Sequence, residues 1–129
     1  MKKIIVFLFV GIIGLQFTTS AQTKITSVHL FDLKDAAAEK SYLESVKAVN
    51  ALIKEIGYPN NYYSFSKVKD DDKSTNNRYC TMGHWVSEEA YKAIHENAKF
   101  IAWSEKDKKN GGGMVREEIY RRLYTIDLK

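Results

Sequence analysis

The stretch of sequence that decides the fold is residues 78–95, which read RYCTMGHWVSEEAYKAIH. Residues 78–86 are rich in β-forming side chains, which is typical of a strand. Ser87 follows as a candidate N-cap, and the two glutamates after it suit the positive end of a helix dipole. The stretch therefore predicts a β-strand that passes directly into a helix.

Upstream, the chain shows the same combination of strand and helix. Residues 25–33 and 62–69 read as strands, because both are rich in β-branched and aromatic side chains. Asp35 and a capping box that begins at Ser41 are both plausible starts for the helix between them, and Gly57 suits its end. The apolar stripe of this helix recurs every three or four residues and consists of Leu43, Val46, Val49, Ile53 and Ile56.

Downstream, a second helix and a fourth strand complete the pattern. Residues 118–128 are rich in β-formers, and the helix before them has an apolar stripe of Tyr91, Ile94, Ala98 and Ile101. The order β-α-β-β-α-β predicts a ferredoxin-like α+β sandwich with both helices on one face of an antiparallel sheet. Neither set of alternating strand residues is cleanly polar. We therefore expect the uncovered face to meet a second subunit, a ligand or both.

The N-terminus predicts export. Residues 1–21 combine a basic start, an apolar run of about a dozen residues and a small-residue exit, as in a signal peptide. We expect cleavage after Ala21, a single domain over residues 22–129, and a periplasmic or extracellular bacterial protein with no membrane contact after cleavage. Loss of Lys2 and Lys3 lowers the net charge from +4 to +2, and the remaining basic residues alternate with acidic ones. This pattern predicts no nucleic-acid partner.

The sequence lacks the motifs of several common kinds of site. Cys80 is the only cysteine, so it forms no intramolecular disulfide, and it reads either as a small buried residue or as a reactive thiol. No spacing of Cys and His suggests a metal site, and no phosphate-binding or nucleophile-elbow motif occurs. We therefore expect neither a metal nor another cofactor.

The residues from Trp85 to His95 carry a resemblance to a known family. A strand that ends in Trp, a Ser cap, Glu-Ala-Tyr and then a His on the same helix resemble the dimeric α+β barrel superfamily, above all its antibiotic biosynthesis monooxygenase-like (ABM-like) members. The resemblance implies a homodimer whose sheets pack face to face into a barrel. It also implies a cavity between each sheet and its own helices.

The activities that this resemblance implies are diverse. They include cofactor-independent oxygenation of aromatic compounds, heme degradation and muconolactone isomerisation. Residues 100–104 of the second helix lack the axial His of the heme-degrading members, which argues against that activity. The fold alone does not decide among the others.

Two histidines are the candidate catalytic residues. His29 on the first strand and His95 on the second helix could each take a proton from a phenolic substrate, because an ordinary histidine titrates near neutral pH. The alternative is a structural role. His29 would then be a hydrogen-bonded residue at the dimer face, and His95 would lie at the flank of its helix.

The candidate ligand-binding residues are Tyr63, Tyr79, His84 and Trp85. Tyrosine hydroxyls can orient a polar aromatic ligand, and a tryptophan ring can form a pocket wall, although both residue types are also common in cores and interfaces. His84 and Trp85 are adjacent on a strand, so only one of them is expected to face a given cavity.

The leading functional hypothesis is an exported protein that binds a small apolar or aromatic ligand. As an enzyme, it would be a cofactor-independent monooxygenase that acts on an aromatic compound. The alternative hypothesis is a non-enzymatic ligand-binding or stress-related protein on the same scaffold.

Overall fold

The structure is a computed structural model that describes residues 23–70, 73, 75–109 and 119–125. The expected signal peptide and the glycines at 111–113 lie outside the described residues. The elements in chain order are β1 (Ile25–Phe31), α1 (Ala36–Glu55), β2 (Tyr62–Lys67), β3 (Tyr79–Trp85), α2 (Glu88–His95), α3 (Ala98–Lys109) and β4 (Ile119–Tyr124).

The four strands form one sheet in the order β2-β3-β1-β4. Each of the three neighbouring pairs is antiparallel, and β1 and β3 are the central strands. This arrangement is the ferredoxin-like α+β fold, so the predicted fold class is confirmed. Among the described residues, no helix is long and apolar enough to cross a membrane.

Helix α1 begins at the earlier of its two predicted starts. Asp35 has an extended backbone, and its Oδ1 accepts a hydrogen bond of 2.8 Å from the backbone N–H of Ala38. Such an N-cap contributes about 1 kcal/mol, because it satisfies a donor that the helix leaves unpaired. Ser41 therefore lies inside the helix. At the other end, Gly57 has a φ of 97°, a left-handed conformation that favours glycine.

The second predicted helix is two helices, α2 and α3. The side chain of Asn97 accepts a hydrogen bond of 2.9 Å from the backbone N–H of Lys99, so a new helix begins immediately after α2 ends. This restart changes which residues face inward. The prediction that Ala98 and Ile101 form an apolar stripe was wrong, because both are exposed. Phe100 is buried in the core instead.

The core lies between the sheet and the helices. Trp85 occupies its centre, where the indole N–H donates a hydrogen bond of 3.2 Å to the Ser27 hydroxyl. Gly83 lies beside both residues, and a Cβ at this position would be 2.4 Å from Ser27 Oγ and 2.5 Å from the Trp85 ring. The buried cluster consists of Ile25, Val49, Ile53, Trp85, Ile94 and Phe100.

The two faces of the sheet differ in their cover. On β1, Ile25, Ser27 and Phe31 are buried against the helices, and half-buried His29 shares their face, whereas Thr26, Val28 and Leu30 point to the other face and are half-buried. We call these the helix face and the open face. The register of the sheet places the following residues on the open face: Thr26, Val28, Leu30, Tyr62, Ser64, Ser66, Cys80, Met82, His84, Ile119, Arg121 and Leu123.

Candidate functional site

A cavity of about 310 Å³ lies between the helix face of the sheet and the three helices. We call it the inner cavity. Its volume is at the lower end of the range for small-molecule sites. Its lining includes two histidines and four tyrosines, namely His29, His95, Tyr42, Tyr63, Tyr91 and Tyr120. The other polar side chains that line it are Ser45, Thr81, Ser104, Asp107 and Lys108.

His29 reaches the inner cavity from the middle of β1. Its ring centroid lies 4.7 Å from that of Tyr120 and 6.3 Å from that of Tyr63. Burial lowers the pKa of His29 to about 4, and the nearby His95 adds to this decrease. The imidazole is therefore neutral at pH 7, and a neutral imidazole has one nitrogen that can accept a proton.

His95 is held in one tautomer by its own helix. Its Nδ1 lies 2.7 Å from the carbonyl oxygen of Tyr91, which can only accept, so Nδ1 donates. In the neutral ring, Nε2 is then an acceptor, and the Tyr63 hydroxyl donates to it over 3.3 Å. Burial lowers the pKa of His95 more than the bond to Tyr91 raises it, and Arg122 lowers it further.

The hydroxyls of Tyr63 and Tyr120 stay protonated at neutral pH. Burial raises the pKa of Tyr63 and raises that of Tyr120 to about 12. The hydroxyls of Tyr91 and Tyr120 lie 3.1 Å apart and share a hydrogen bond. This part of the cavity therefore offers neutral histidines together with the hydroxyls of Tyr63 and Tyr120, a set that suits an uncharged aromatic molecule with hydroxyl groups.

Three of the predicted site residues meet at the inner cavity: His29, His95 and Tyr63. A fourth, Trp85, lies behind them and is only 2% exposed. Its ring packs edge-on against the rings of Tyr63 and His95, with centroids 5.1 Å and 5.0 Å away. Trp85 is thus a core residue that supports the cavity residues from behind.

The structure does not bring the other two predicted ligand-binding residues to the inner cavity. His84 points to the open face because residues alternate along β3, and there its Nε2 lies 2.9 Å from Ser64 Oγ. Tyr79 is six residues before Trp85, about 20 Å along an extended strand. Its hydroxyl donates a hydrogen bond of 2.7 Å to Glu39. The functional roles of all six predicted residues stay predictions.

The aromatic cavity residues that sequence reasoning did not propose for the site include Tyr42, Tyr91 and Trp103. Tyr91 carried a usable signal, because it precedes His95 by four residues and so shares its side of the helix. Tyr42 carried the same kind of signal, because it precedes Val46 of the predicted stripe by four residues, and a hydrogen bond of 3.1 Å from the Thr81 hydroxyl positions it. Trp103 faces the cavity only because α3 restarts at Asn97.

Within the described ranges, no group of three or more His, Cys, Asp or Glu residues could hold a metal ion. Cys80 lies half-buried on the open face, and burial raises the pKa of its thiol. A raised pKa reduces the thiolate fraction, which is the reactive form of cysteine.

Comparisons with solved structures identify the fold. A dimeric ferredoxin-like protein of unknown function from Thermobifida fusca matches with a TM-score of 0.57 and 11% identity, covering 81% of this chain and 92% of that one. A proposed antibiotic biosynthesis monooxygenase from Caulobacter crescentus matches with a TM-score of 0.55 and 18% identity over 83% and 93% of the two chains. The chain shares the fold of the ABM-like dimeric α+β barrel proteins. The resemblance noted at Trp85 and His95 is confirmed at the level of the fold.

A third solved structure supports the same fold. A DABB family protein with a ferredoxin-like fold from Mesorhizobium loti matches with a TM-score of 0.54 and 13% identity, covering 84% of this chain and 100% of that one. No family model and no curated protein sequence matches the chain. Because one fold supports many reactions, these similarities extend to the architecture and not to the chemistry of the inner cavity.

Proposed function

We propose that the protein binds a small hydroxylated aromatic compound in the inner cavity and oxygenates it without a cofactor. The observation that carries the proposal is the position of His29, a neutral imidazole among aromatic rings in the inner cavity. A neutral imidazole can accept the proton of a bound hydroxyl group. A protein that shares this fold is a proposed antibiotic biosynthesis monooxygenase, which agrees with this choice of reaction.

The cavity wall supports an aromatic ligand. The rings of Tyr91, Phe100 and Trp103 line it on the helix side, and those of Tyr63 and Tyr120 line it on the sheet side. Aromatic rings pack against one another in offset or edge-to-face arrangements, and each such pair adds about 0.5–1.5 kcal/mol to simple burial. The hydroxyls of Tyr63 and Tyr120 would then orient the oxygen atoms of the ligand.

The reaction uses dioxygen as the oxidant. His29 accepts the phenolic proton, and the phenolate transfers one electron to dioxygen to give an aryloxyl radical and superoxide. Their combination forms a carbon–oxygen bond. Loss of water, with the proton returned from His29, then breaks the oxygen–oxygen bond and leaves a quinone. One phenol and one dioxygen thus give one quinone and one water.

Oxygen consumption with 1-naphthol and its dihydroxy analogues tests this proposal. We expect one dioxygen consumed per 1,4-naphthoquinone formed, with one labelled oxygen atom in the quinone when ¹⁸O₂ is supplied. His29→Gln should lower kcat about 100-fold or more, the contribution expected of a general base. His84→Gln is the matched control, because His84 lies on the open face and should leave kcat unchanged. Equal activity of the two variants would contradict the role of His29.

The second candidate function is ligand binding without turnover. It is favoured by the same burial that lowers the pKa of His29 to about 4, because such an imidazole is a weak base. An ordinary phenol has a pKa of about 10, so proton transfer from it to this imidazole is unfavourable, which supports binding without turnover. Saturable binding of the naphthols with no oxygen consumption would identify this function.

We also propose that the open face forms a homodimer interface. Exposed apolar side chains lie on it, including Leu123 at 51% and Ile119 at 40% exposure. Exposed apolar surface of this kind is typical of an interaction site. The Thermobifida fusca protein of the same fold is dimeric. Sedimentation analysis at micromolar concentration checks this: a monomer would contradict the proposal.

Export is the remaining part of the proposal. Residues 1–21 have the charge and hydropathy pattern of a signal peptide. Expression of the full-length sequence in a Gram-negative bacterium should place the protein in the periplasmic fraction. N-terminal sequencing should then begin at Gln22. Retention of Met1 on the accumulated protein would contradict the proposal.

A further inference from the structure

A second cavity of about 310 Å³ lies on the outer side of the inner cavity, between α1 and α3. We call it the outer cleft. Its lining differs in chemistry, because it includes two carboxylates, two serine hydroxyls and one lysine: Glu44, Asp107, Ser41, Ser45 and Lys106. The outer cleft is therefore the polar counterpart of the aromatic inner cavity.

The two cavities share a wall. Tyr42, Ser45, Trp103 and Asp107 line both of them. The Ser45 hydroxyl on α1 donates a hydrogen bond to Asp107 Oδ1 on α3, so this pair holds the wall together. A molecule in the inner cavity can therefore contact the same side chains that face the outer cleft.

Asp107 is the charged acceptor of this wall. A carboxylate can accept about four hydrogen bonds, so the bond from Ser45 leaves capacity for a donor on a ligand. The charge of Asp107 also acts on the inner cavity: burial is the main reason why the pKa of Tyr42 is raised, and Asp107 adds to that rise. Charged acceptors make the stronger hydrogen bonds in proteins, particularly where water is partly excluded.

We infer that the two cavities form one bipartite ligand site in which Asp107 selects the ligand. The ring of a phenolic ligand lies in the inner cavity, and a hydrogen-bond-donating substituent on the ring, a hydroxyl or an ammonium group, binds Asp107. This inference rests on the proposed function, because it takes the inner cavity as the binding place of the ring. The inference adds a substrate class to the proposed function. These substrates are phenols that carry, at the end of the ring away from the phenolic hydroxyl, a hydrogen-bond donor rather than an apolar or anionic group.

Four phenols of nearly equal size test the inference. They differ only at the end of the side chain: 4-ethylphenol has no polar group, 4-(2-hydroxyethyl)phenol has a hydroxyl, tyramine has an ammonium, and 3-(4-hydroxyphenyl)propionate has a carboxylate. Binding is measured by calorimetry at pH 7.5 on protein expressed from the full-length sequence. We expect at least one donor phenol to bind about 5–10-fold more tightly than 4-ethylphenol, and the carboxylate to bind most weakly.

Two variants of α3 assign the effect to Asp107. Asp107→Asn removes the charge and keeps the shape, so it should reduce the advantage of the donor phenols to less than about twofold while 4-ethylphenol binds as before. Glu105→Gln removes the same charge from an exposed neighbour that lines neither cavity, and it should change none of the four affinities. An equal effect of both variants would overturn the assignment, because it would reflect net charge alone.

The probe series also separates the two proposals. If 4-ethylphenol binds and neither donor phenol binds more tightly, the bipartite site is wrong and the inner cavity remains a ligand site. If the carboxylate phenol binds most tightly, Asp107 does not select the ligand. If none of the four phenols binds although 1-naphthol does, the bipartite site is wrong and the proposed function stands; if 1-naphthol does not bind either, both fail. These comparisons use the unaltered protein and do not depend on the folding of a variant.

Discussion

The two faces of the sheet carry similar side chains but offer different chemistry. On the helix face, His29 and His95 lie with Tyr63 in a cavity, and burial lowers the pKa of both histidines. On the open face, His84 stacks on Tyr62 with ring centroids 4.6 Å apart. Both faces thus pair histidine with tyrosine. The comparison teaches that enclosure by the helices, rather than residue type, creates the candidate site.

The largest expected difference between the faces is in packing, and Gly83→Ala measures it. The added Cβ on the helix face would lie 2.4 Å from Ser27 Oγ and 2.5 Å from the Trp85 ring, so these groups must move. Overpacking of this kind should lower the free energy of unfolding by about 3 kcal/mol. Urea denaturation checks the value. Ser66→Ala is the open-face control, and a similar loss there would contradict the difference in packing.

The second difference is in association, and Leu123→Asp measures it. A carboxylate on the apolar open face should weaken the proposed dimer about 100-fold or more, because the charge would be buried without a partner. Sedimentation equilibrium gives the dissociation constant. Ile101→Asp is the control, since Ile101 is similarly exposed at 43% but lies on α3. Dissociation by the control variant, with Leu123→Asp still dimeric, would place the interface on the helices.

The third difference is in the dependence of stability on pH. The folded protein holds His29 at a pKa of about 4, below its ordinary value of about 6.5, so the unfolded chain binds protons more readily between these values. The contribution of the neutral His29 side chain to the free energy of unfolding is complete above pH 6.5 and is lost as the pH falls towards 4. Allowing for the partial exposure of the ring, His29 should account for about 1–2 kcal/mol.

Urea denaturation from pH 7 to pH 4 checks this dependence. His29→Gln should flatten the slope of the unfolding free energy in this window, whereas His84→Gln on the open face should retain it. A slope that His29→Gln leaves unchanged would show that burial of His29 does not control the pH response.

The smallest difference compares neighbouring residues on β2. Tyr63→Phe removes the hydroxyl that donates to His95 Nε2, so it should cost about 1 kcal/mol and weaken ligand binding several-fold. Ser64→Ala removes the hydrogen bond to His84 on the open face and should cost about 0.5 kcal/mol with no change in binding. Thermal unfolding and calorimetry measure both effects. If Tyr63→Phe and Ser64→Ala weakened ligand binding equally, the ligand would not distinguish the helix face from the open face.

The sequence predicts the architecture well because the architecture depends on local patterns. The strand that ends at Trp85 and the cap at Ser87 both occur as predicted, and the Ser87 hydroxyl accepts a bond of 3.1 Å from the Ala90 N–H. The break at Asn97 was missed, although asparagine is a good N-cap, since the apolar spacing continues across it. Phe100 rather than Ile101 is buried as a result.

The site is only partly predictable, because it depends on contacts between distant elements. His29 and His95 lie on different elements about half the chain apart, and nothing in their local sequence indicates that they share a cavity. Strand alternation explains why His84 points away from Trp85, but the sequence alone does not say which face the helices cover. Asp107 reaches the site only through the packing of α3 on α1.

The central claim is that the helix face, and not the open face, holds the ligand, and the imidazole resonances test it most directly. The chain has three histidines, and the two faces divide them as His29 and His95 against His84. Titration of the protein with 1-naphthol should shift the Hε1 resonances of His29 and His95 and leave that of His84 in place. A shift of His84 alone, or no shift of His29 and His95 at saturation, would contradict the account.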